Sequence, residues 1–258
     1  MANYHQLVNV ATLSMGRPDL KLPFDRELIT LRSYTITGTP YSIVVARPDA
    51  EPQLWEDYLS GALSSYRKYG VERVLEYEKV APGETTTLFM PIVDPNGAVV
   101  GGVRVQGPYQ DPDEAHALVE WDGRAGARAL RRHLASRVPA GVVEMKTGWV
   151  SDDIRAKHIL ADAIARTPMH AMHLLDIRFA LCTVADHAVR RWCASGAQCS
   201  EDVRPVAYPD DRYQTAPIWW DRATVPARIE KDHLVSLLDE QVQLGLPYGL
   251  AGSRPAAA

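Results

Sequence analysis

Apolar and polar positions along this chain follow two different periods, and the switches between them mark its elements. Residues 33–45 carry Thr, Tyr, Ile and Val in close succession and predict extended structure, broken at Gly38-Thr39-Pro40. Leu54, Tyr58, Leu59, Ala62, Leu63 and Tyr66 then recur at helical spacing, so a helix is expected over 54–69, with a second short one over 71–77. The clearest hairpin signal follows, where apolar runs 87–93 and 98–105 flank Asp94-Pro95-Asn96-Gly97, residues suited to a tight turn. An irregular connection is expected over 107–121 and a basic helix over 126–138. Residues 142–150 predict a strand. Residues 151–166 predict a helix capped by Ser151 or Asp152, with Ile154, Ile159, Leu160, Ala163 and Ile164 on its buried side. A strand over 179–184 feeds a helix over 185–195 that stops at Gly196. A closing hairpin of 203–208 and 213–220 around Pro209-Asp210-Asp211-Arg212, then an amphipathic helix over 228–244, complete the pattern.

This order predicts a single domain over 1–258 of α/β (α+β) class, a mixed central sheet flanked by helices. Its core spans about 41–220; an arm over 1–30, interrupted by Pro18 and Pro23, precedes it, and a disordered tail over 250–258 follows the terminal helix. At 258 residues, with 46% hydrophobic and 23% charged positions, the chain can bury a sizeable core and reads as soluble and globular. A net charge of -4 leaves no basic excess to neutralise phosphates, so no nucleic-acid partner is expected. No uncharged apolar run reaches membrane-spanning length, and no basic leader precedes a long apolar run. A cytoplasmic protein without a membrane partner is expected. Cys182, Cys193 and Cys199 are odd in number and lack metal-ligand spacing, which predicts buried free thiols.

Residues 185–197, ADHAVRRWCASGA, resemble the last helix of the Gcn5-related N-acetyltransferase (GNAT) family, Asn-x-x-Ala-x-x-x-Tyr-x-x-x-Gly-Phe. Ala188 and Gly196 match; Ala185, Trp192 and Ala197 stand in place of Asn, Tyr and Phe. The order of elements over 41–220 resembles the same fold. The resemblance implies transfer of an acyl group from a thioester to an amine. It gives Glu144, six residues before Val150, the place of a general base on the family's fourth strand. It puts the donor at Trp149, Val150, Ser151, Arg155, Ala156 and Trp192. In the family's phosphate-binding run Arg/Gln-x-x-Gly-x-Gly/Ala only Ala156 fits, since Ser151 and Ile154 replace the basic and glycine positions. Asp152 and Asp153 would repel a phosphate there, with Arg155 and Lys157 as the offsetting charges.

That departure points to relatives with degenerate phosphate loops, the acyl-homoserine-lactone synthases and N-acyl amino acid synthases, which can draw on acyl carrier protein. Gly102-Val103-Arg104-Val105 matches a motif of the former, and Glu144-Met145-Lys146 resembles their Glu–Arg pair. Arg67 matches their early Arg, although Val71 fills the following aromatic position and Tyr77 only the last. Their paired Asp motif is absent, with Glu84 alone nearby. The implied function is therefore a broader N-acyl transfer to a small amine such as an amino acid, with acyl-CoA or acyl-ACP as co-substrate and no bound cofactor. Arg104, Lys146 and Arg67 are the implied acceptor-binding residues. With Trp192 in place of Tyr, the phenol that would protonate a leaving thiolate is missing from that position.

Each feature has a second reading. Glu144 can form an ion pair with Lys146 or Arg104 that only satisfies buried charge. Trp149 and Trp192 can line an acyl tunnel or pack a core, and Trp219 and Trp220 suit packing. The basic run 128–137 is a solvated helix face or a docking patch for an acidic carrier protein. His170-x-x-His173, with His158 or His187 nearby, lacks an acidic partner at metal-binding spacing, so no metal is expected. No nucleophile elbow, Walker loop or dinucleotide fingerprint occurs. The whole chain can accordingly be an acyltransferase or a catalytically inactive ligand-binding or interaction module on the same fold.

Overall fold

The computed structural model describes residues 32–246; the arm over 1–30 and the tail over 250–258 lie outside the described residues. The first extended segment is two antiparallel strands, β1 (Arg32–Thr35) and β2 (Ser42–Val45), parted at the expected turn. Helix α1 (Pro52–Lys68) opens with proline, whose missing N–H has no helical partner to lose there, and buries Trp55, Tyr58, Leu59 and Ala62. A 3-10 turn over Glu72–Leu75 and the short α2 (Tyr77–Val80) replace the single helix expected next. Between them Glu76 takes a left-handed φ of 48°. Strands β3 (Leu88–Val93) and β4 (Val99–Gln106) form the predicted hairpin.

The stretch expected to be irregular contains a 3-10 turn at Pro112–Glu114 and the one-turn α3 (Ala117–Glu120), followed by α4 (Ala127–Arg137). Then come β5 (Val142–Val150), α5 (Lys157–Leu174), β6 (Phe179–Ala185), α6 (Asp186–Ala194), β7 (Gln198–Cys199), β8 (Val206–Ala207), β9 (Gln214–Asp221) and α7 (Lys231–Gln243). Among the described residues nine strands make one sheet in the order β1-β2-β3-β4-β5-β6-β9-β7, with β8 on β9. The two-residue β7 was not expected. It pairs with β9 through Gln198–Trp219 and Cys199–Ile218. Cys182 is buried, Cys193 half-buried and Cys199 exposed, so the buried-thiol expectation holds fully for Cys182 alone.

Helix α5 departs from its prediction at both ends. It starts at Lys157 rather than Ser151, behind Ala156, because the residues before it have other partners. The Ser151 N–H donates to the Val100 carbonyl at 2.8 Å, and the Asp152 carboxylate accepts from Lys68 and Tyr69, each at 2.6 Å. Neither Ser151 nor Asp152 caps the helix. Leu160, Ala163 and Ile164 are buried as expected, Ile159 is 46% exposed, and Ile154 packs on the core from the preceding loop. The helix also runs past Pro168. The proline leaves the Ile164 carbonyl without its usual N–H donor, and the Thr167 hydroxyl supplies one at 2.7 Å.

Apolar side chains cover both faces of the sheet. Leu88, Met90, Val103, Val143 and Met145 pack with Leu160 and Ile164 of α5 on one face. Phe89 and Trp149 pack with Trp55, Tyr58 and Leu59 of α1 on the other. Beneath α3 and α4, Trp121, Leu130 and Leu134 meet Val142, Leu181 and Trp219. Trp219 and Trp220 are core residues whose indole N–H groups donate to Ser200 and Ser195.

Two irregularities at the middle of the sheet create a cleft. Parallel pairing of β5 with β6 ends at Met145–Cys182, although β5 continues to Val150 and β6 to Ala185. The strands part there. On its other edge, β5 carries an extra residue: Gly102 faces Trp149 and Arg104 faces Lys146, so two steps of β4 oppose three of β5. Thr147, inside this bulge, has a φ of 56°.

A candidate active site at the parting of two strands

The gap between β5 and β6 is a cleft of about 700 Å³. Its walls are largely apolar: Val103, Met145, Trp149, Val150, Ile164, Val184, Ala188 and Trp192. Tyr66 and Tyr69 from α1 and the turn after it, and Tyr208 and Tyr213 from the β8–β9 connection, bring phenols to it. Past Met145–Cys182, the facing edges of β5 and β6 have no ladder partner in each other, which leaves backbone groups available to an extended ligand. Trp149 reaches its place because Gly61 of α1 lacks a side chain. A Cβ on Gly61 would lie 2.2 Å from the indole ring.

Lys146 lines the cleft and belongs to a buried ionic cluster. Its ammonium lies 2.8 Å from Glu120 Oε1, 2.9 Å from His116 Nδ1 and 3.3 Å from Glu144 Oε1. Burial works against this charge, but Glu120 and then Glu144 outweigh it and raise the Lys146 pKa. For Glu120, burial favours the neutral acid, and Lys146 with His116 overcomes that to lower its pKa. Thr183, also on the cleft, donates to Glu120 Oε1 at 3.0 Å. Glu144 is fully buried and accepts from the Tyr109 hydroxyl at 2.7 Å and the Ala117 N–H at 3.4 Å. Apart from the Lys146 ion pair at Glu144 Oε1, that oxygen and Glu120 Oε2 have no hydrogen-bond partner. The ligand atoms of His116, Glu120 and Glu144 lie within 4.8 Å of one another, a spacing that suits a cation. The Lys146 ammonium among them supplies that positive charge.

The structure brings several sequence-derived residues together and disperses others. Lys146, Trp149, Val150 and Trp192 line the cleft. Glu144 sits beside Lys146 on β5 but does not line it, and Lys146 itself is committed to protein partners. Arg104 is buried and donates to the hydroxyls of Thr147 and Thr86 and to Gln106. Burial lowers its pKa, against the pull of Tyr58 and Glu144. Arg67 is exposed and absent from the cleft wall: it lies one helical position past Tyr66, which faces the cleft, and so points elsewhere. Ser151, Arg155 and Ala156 lie outside the wall as well.

Three contributors were not legible. His116, Glu120 and Tyr109 come from the segment read as an irregular connection, which shows no period to place its side chains. The phenols are the second surprise: Trp192 indeed replaces a Tyr, packing edge-on to Trp220 at 5.5 Å, but Tyr66, Tyr208 and Tyr213 stand around the same cleft. Burial pushes the Tyr66 pKa up to about 12, keeping that phenol neutral near pH 7.

The other candidate features resolve into local pairings. On α4, Arg131 forms a two-pronged ion pair with Asp113, Arg132 lies 3.8 Å from Asp202, and Arg137 stacks over Trp219 at 4.5 Å. His170 has an acidic partner after all, Glu240 of α7, which also takes Arg166. Among the described residues no helix is long and apolar enough to cross a membrane.

No protein-family profile matches the chain. It is 41% identical over 246 residues to "Uncharacterized protein Rv1356c" of Mycobacterium tuberculosis, covering 95% of this chain and 92% of that one. "Uncharacterized protein Mb1391c" of Mycobacterium bovis aligns with the same identity and coverage. Among solved structures, FeeM, an N-acyl amino acid synthase from uncultured soil microbes, superposes with a TM-score of 0.51 over 78% of this chain and 96% of its own. At 11% sequence identity that likeness is one of fold.

Proposed function

Because the chain belongs to the family that includes the mycobacterial protein Rv1356c and has the GNAT fold, we propose that it is an N-acyltransferase. In this reading it moves an acyl group from a thioester, acyl-CoA or acyl-ACP, to a small amine such as an amino acid. One observation carries it: an apolar cleft opens where β5 and β6 part, and Lys146, paired with the buried Glu120 and Glu144, lies on its wall.

The thioester arm would lie in the parting, its amides paired with the free strand edges and its acyl chain against Val103, Met145, Trp149 and Trp192. The amine nitrogen attacks the thioester carbonyl, an amide bond forms and the C–S bond breaks. Neutral phenols around the cleft, Tyr66 foremost, are suited to give the departing thiolate a proton. The base is the carboxylate pair about Lys146, with Glu144 the member that the resemblance singles out. Since Lys146 and Arg104 are held by the protein's own groups, their part is to set the charge of this pair, and an acceptor carboxylate would need another anchor.

The loop over 151–156 favours a donor recognised without its phosphates, because the Ser151 N–H and the Asp152 carboxylate already have partners. The same features support the second reading, an inactive binding module. Melting temperature against acyl-CoA from acetyl to palmitoyl, with free CoA as control, tests the site first. Stabilisation that grows with chain length supports a thioester cleft, and thiol release with amino acids then tests transfer. Glu144→Gln should abolish turnover while the protein stays folded. Donor binding without product in the wild type would establish the binding module instead, and no shift with any acyl-CoA would direct the test to acyl-ACP.

A further inference from the structure

Among the described residues three non-glycines have left-handed backbones, and two of them border the ionic cluster: Thr147 and Glu76. Glu76 bonds nothing at the core of the sheet. Its Oε2 lies 3.2 Å from His116 Nε2, and its side chain is 38% exposed. On the other side of the ring, His116 Nδ1 lies 3.2 Å from Glu120 Oε1 and 2.9 Å from the Lys146 ammonium. An ammonium only donates, so Nδ1 is the accepting nitrogen and Nε2 carries the hydrogen toward Glu76. The resulting row is Thr183, Glu120, His116, Glu76, from the cleft wall to solvent.

We propose that this row is the exit for the proton released by acyl transfer, with His116 as the relay residue between the buried Glu120 and the exposed Glu76. The inference rests on the acyltransfer reading of the cleft and assigns roles to residues outside it. An acceptor amine arrives near neutral pH as an ammonium. Forming the amide C–N bond and breaking the C–S bond yields amide, thiol and one proton, and that proton must leave a buried floor. It passes to the Thr183 oxygen as the Thr183 hydrogen passes to Glu120, then to His116 Nδ1, while the Nε2 hydrogen goes to Glu76 and water. His116 and Glu120 are 8% and 2% exposed, so bulk water does not bypass them. The charged groups around the ring are Glu120 of α3, Lys146 of β5 and Glu76 before α2. Glu144 of β5 and Lys79 of α2 lie behind these, the latter 3.4 Å from Glu76.

The test uses the full chain, decanoyl-CoA as donor, a mixture of amino acids as acceptors and released thiol as the signal. His116→Gln should lower kcat at least tenfold with KM unchanged, and added imidazole should restore much of it in His116→Gly. Glu76→Gln should give a smaller loss that shifts the pH dependence of kcat. His133→Gln, whose histidine pairs with Asp202 away from the cluster, should match the wild type. A wild type that turns over while His116→Gln keeps kcat within twofold overturns the relay and leaves acyl transfer standing. His116→Gly that is slow but not rescued by imidazole also overturns it, since that pattern marks a packing role. A wild type that releases no thiol from decanoyl-CoA or from decanoyl-ACP sinks the acyltransfer reading, and the relay with it.

Discussion

Two buried ionic clusters in this molecule are built from the same parts and stand in opposite relations to solvent. At the cleft, Lys146 joins Glu120, Glu144 and His116. Between α5 and α7, Arg166 and His170 join Glu240, whose carboxylate is fully buried. Each has a cation, a histidine and at least one carboxylate, and the partners of Glu120 in the first and of Glu240 in the second lower its pKa against burial. Perturbed ionisation therefore does not tell a site from a staple. Access does. The first cluster touches a cleft through Lys146 and Thr183 and reaches the surface through Glu76; the second is packed under Tyr34, whose ring lies 5.0 Å from that of His170.

The largest way to break the comparison is at its cations and carboxylates. Lys146→Met leaves two carboxylates buried without their counter-charge, an expected cost of about 3–5 kcal/mol, and turnover should fall by roughly 100-fold or more. Glu240→Ala leaves Arg166 unpaired and should cost a similar ~3–5 kcal/mol, yet turnover per folded molecule should be unchanged. Urea unfolding beside thiol-release rates reads both; equal loss of turnover in the two variants would erase the distinction between them. A smaller effect is expected at the cleft wall. Gly61→Ala places a methyl against the Trp149 ring and should cost about 1–3 kcal/mol by overpacking, with the longest acyl donors losing most binding. Unchanged donor binding would remove Trp149 from the wall that acyl chains meet.

The smallest expected effect concerns pH near the second cluster. Burial, helped by Arg222, lowers the His173 pKa to about 4 from an ordinary 6.5. A depressed value means that the neutral ring is favoured in the folded state. The stability this gives is present above pH 6.5 and is lost as pH falls through about 4. Melting temperature should drop across that window, and His173→Phe should flatten the drop. Coincident slopes for the two proteins would show that other groups govern it.

The sequence revealed what periodicity can carry. Glu144 and Lys146, two apart on β5, share a face as strand alternation requires, and the register with β4 sets Arg104 opposite Lys146. The hairpin, the central strands and most helices followed from spacing and turn chemistry. Interactions between segments distant in the chain were not legible. Nothing local to residues 107–121 shows that His116 and Glu120 fold onto Lys146 some 26–30 residues later. Helix α5 looked finished at Arg166 because the hydroxyl that excuses Pro168 acts only in the folded helix. Arg67 shows a different limit: a motif match fixes a position in the chain, and one helical step of about 100° from Tyr66 puts it outside the cleft wall.

The extra residue in β5 has a consequence for how this chain can change. Side chains on a strand obey parity, and Lys146 and Trp149, three apart, would fall on opposite sides of the sheet if parity held. The bulge at Thr147 reverses it once, so charge and aromatic wall share a face. Removing Thr147 would straighten the strand and leave Lys146 and Trp149 two apart, still on one face, with only the bulge lost. What such a deletion takes away is local to the bulge: the Thr147 carbonyl that accepts from the Tyr58 hydroxyl and the Thr147 hydroxyl that accepts from Arg104, so α1 and Arg104 lose these holds on β5 while the shared face survives.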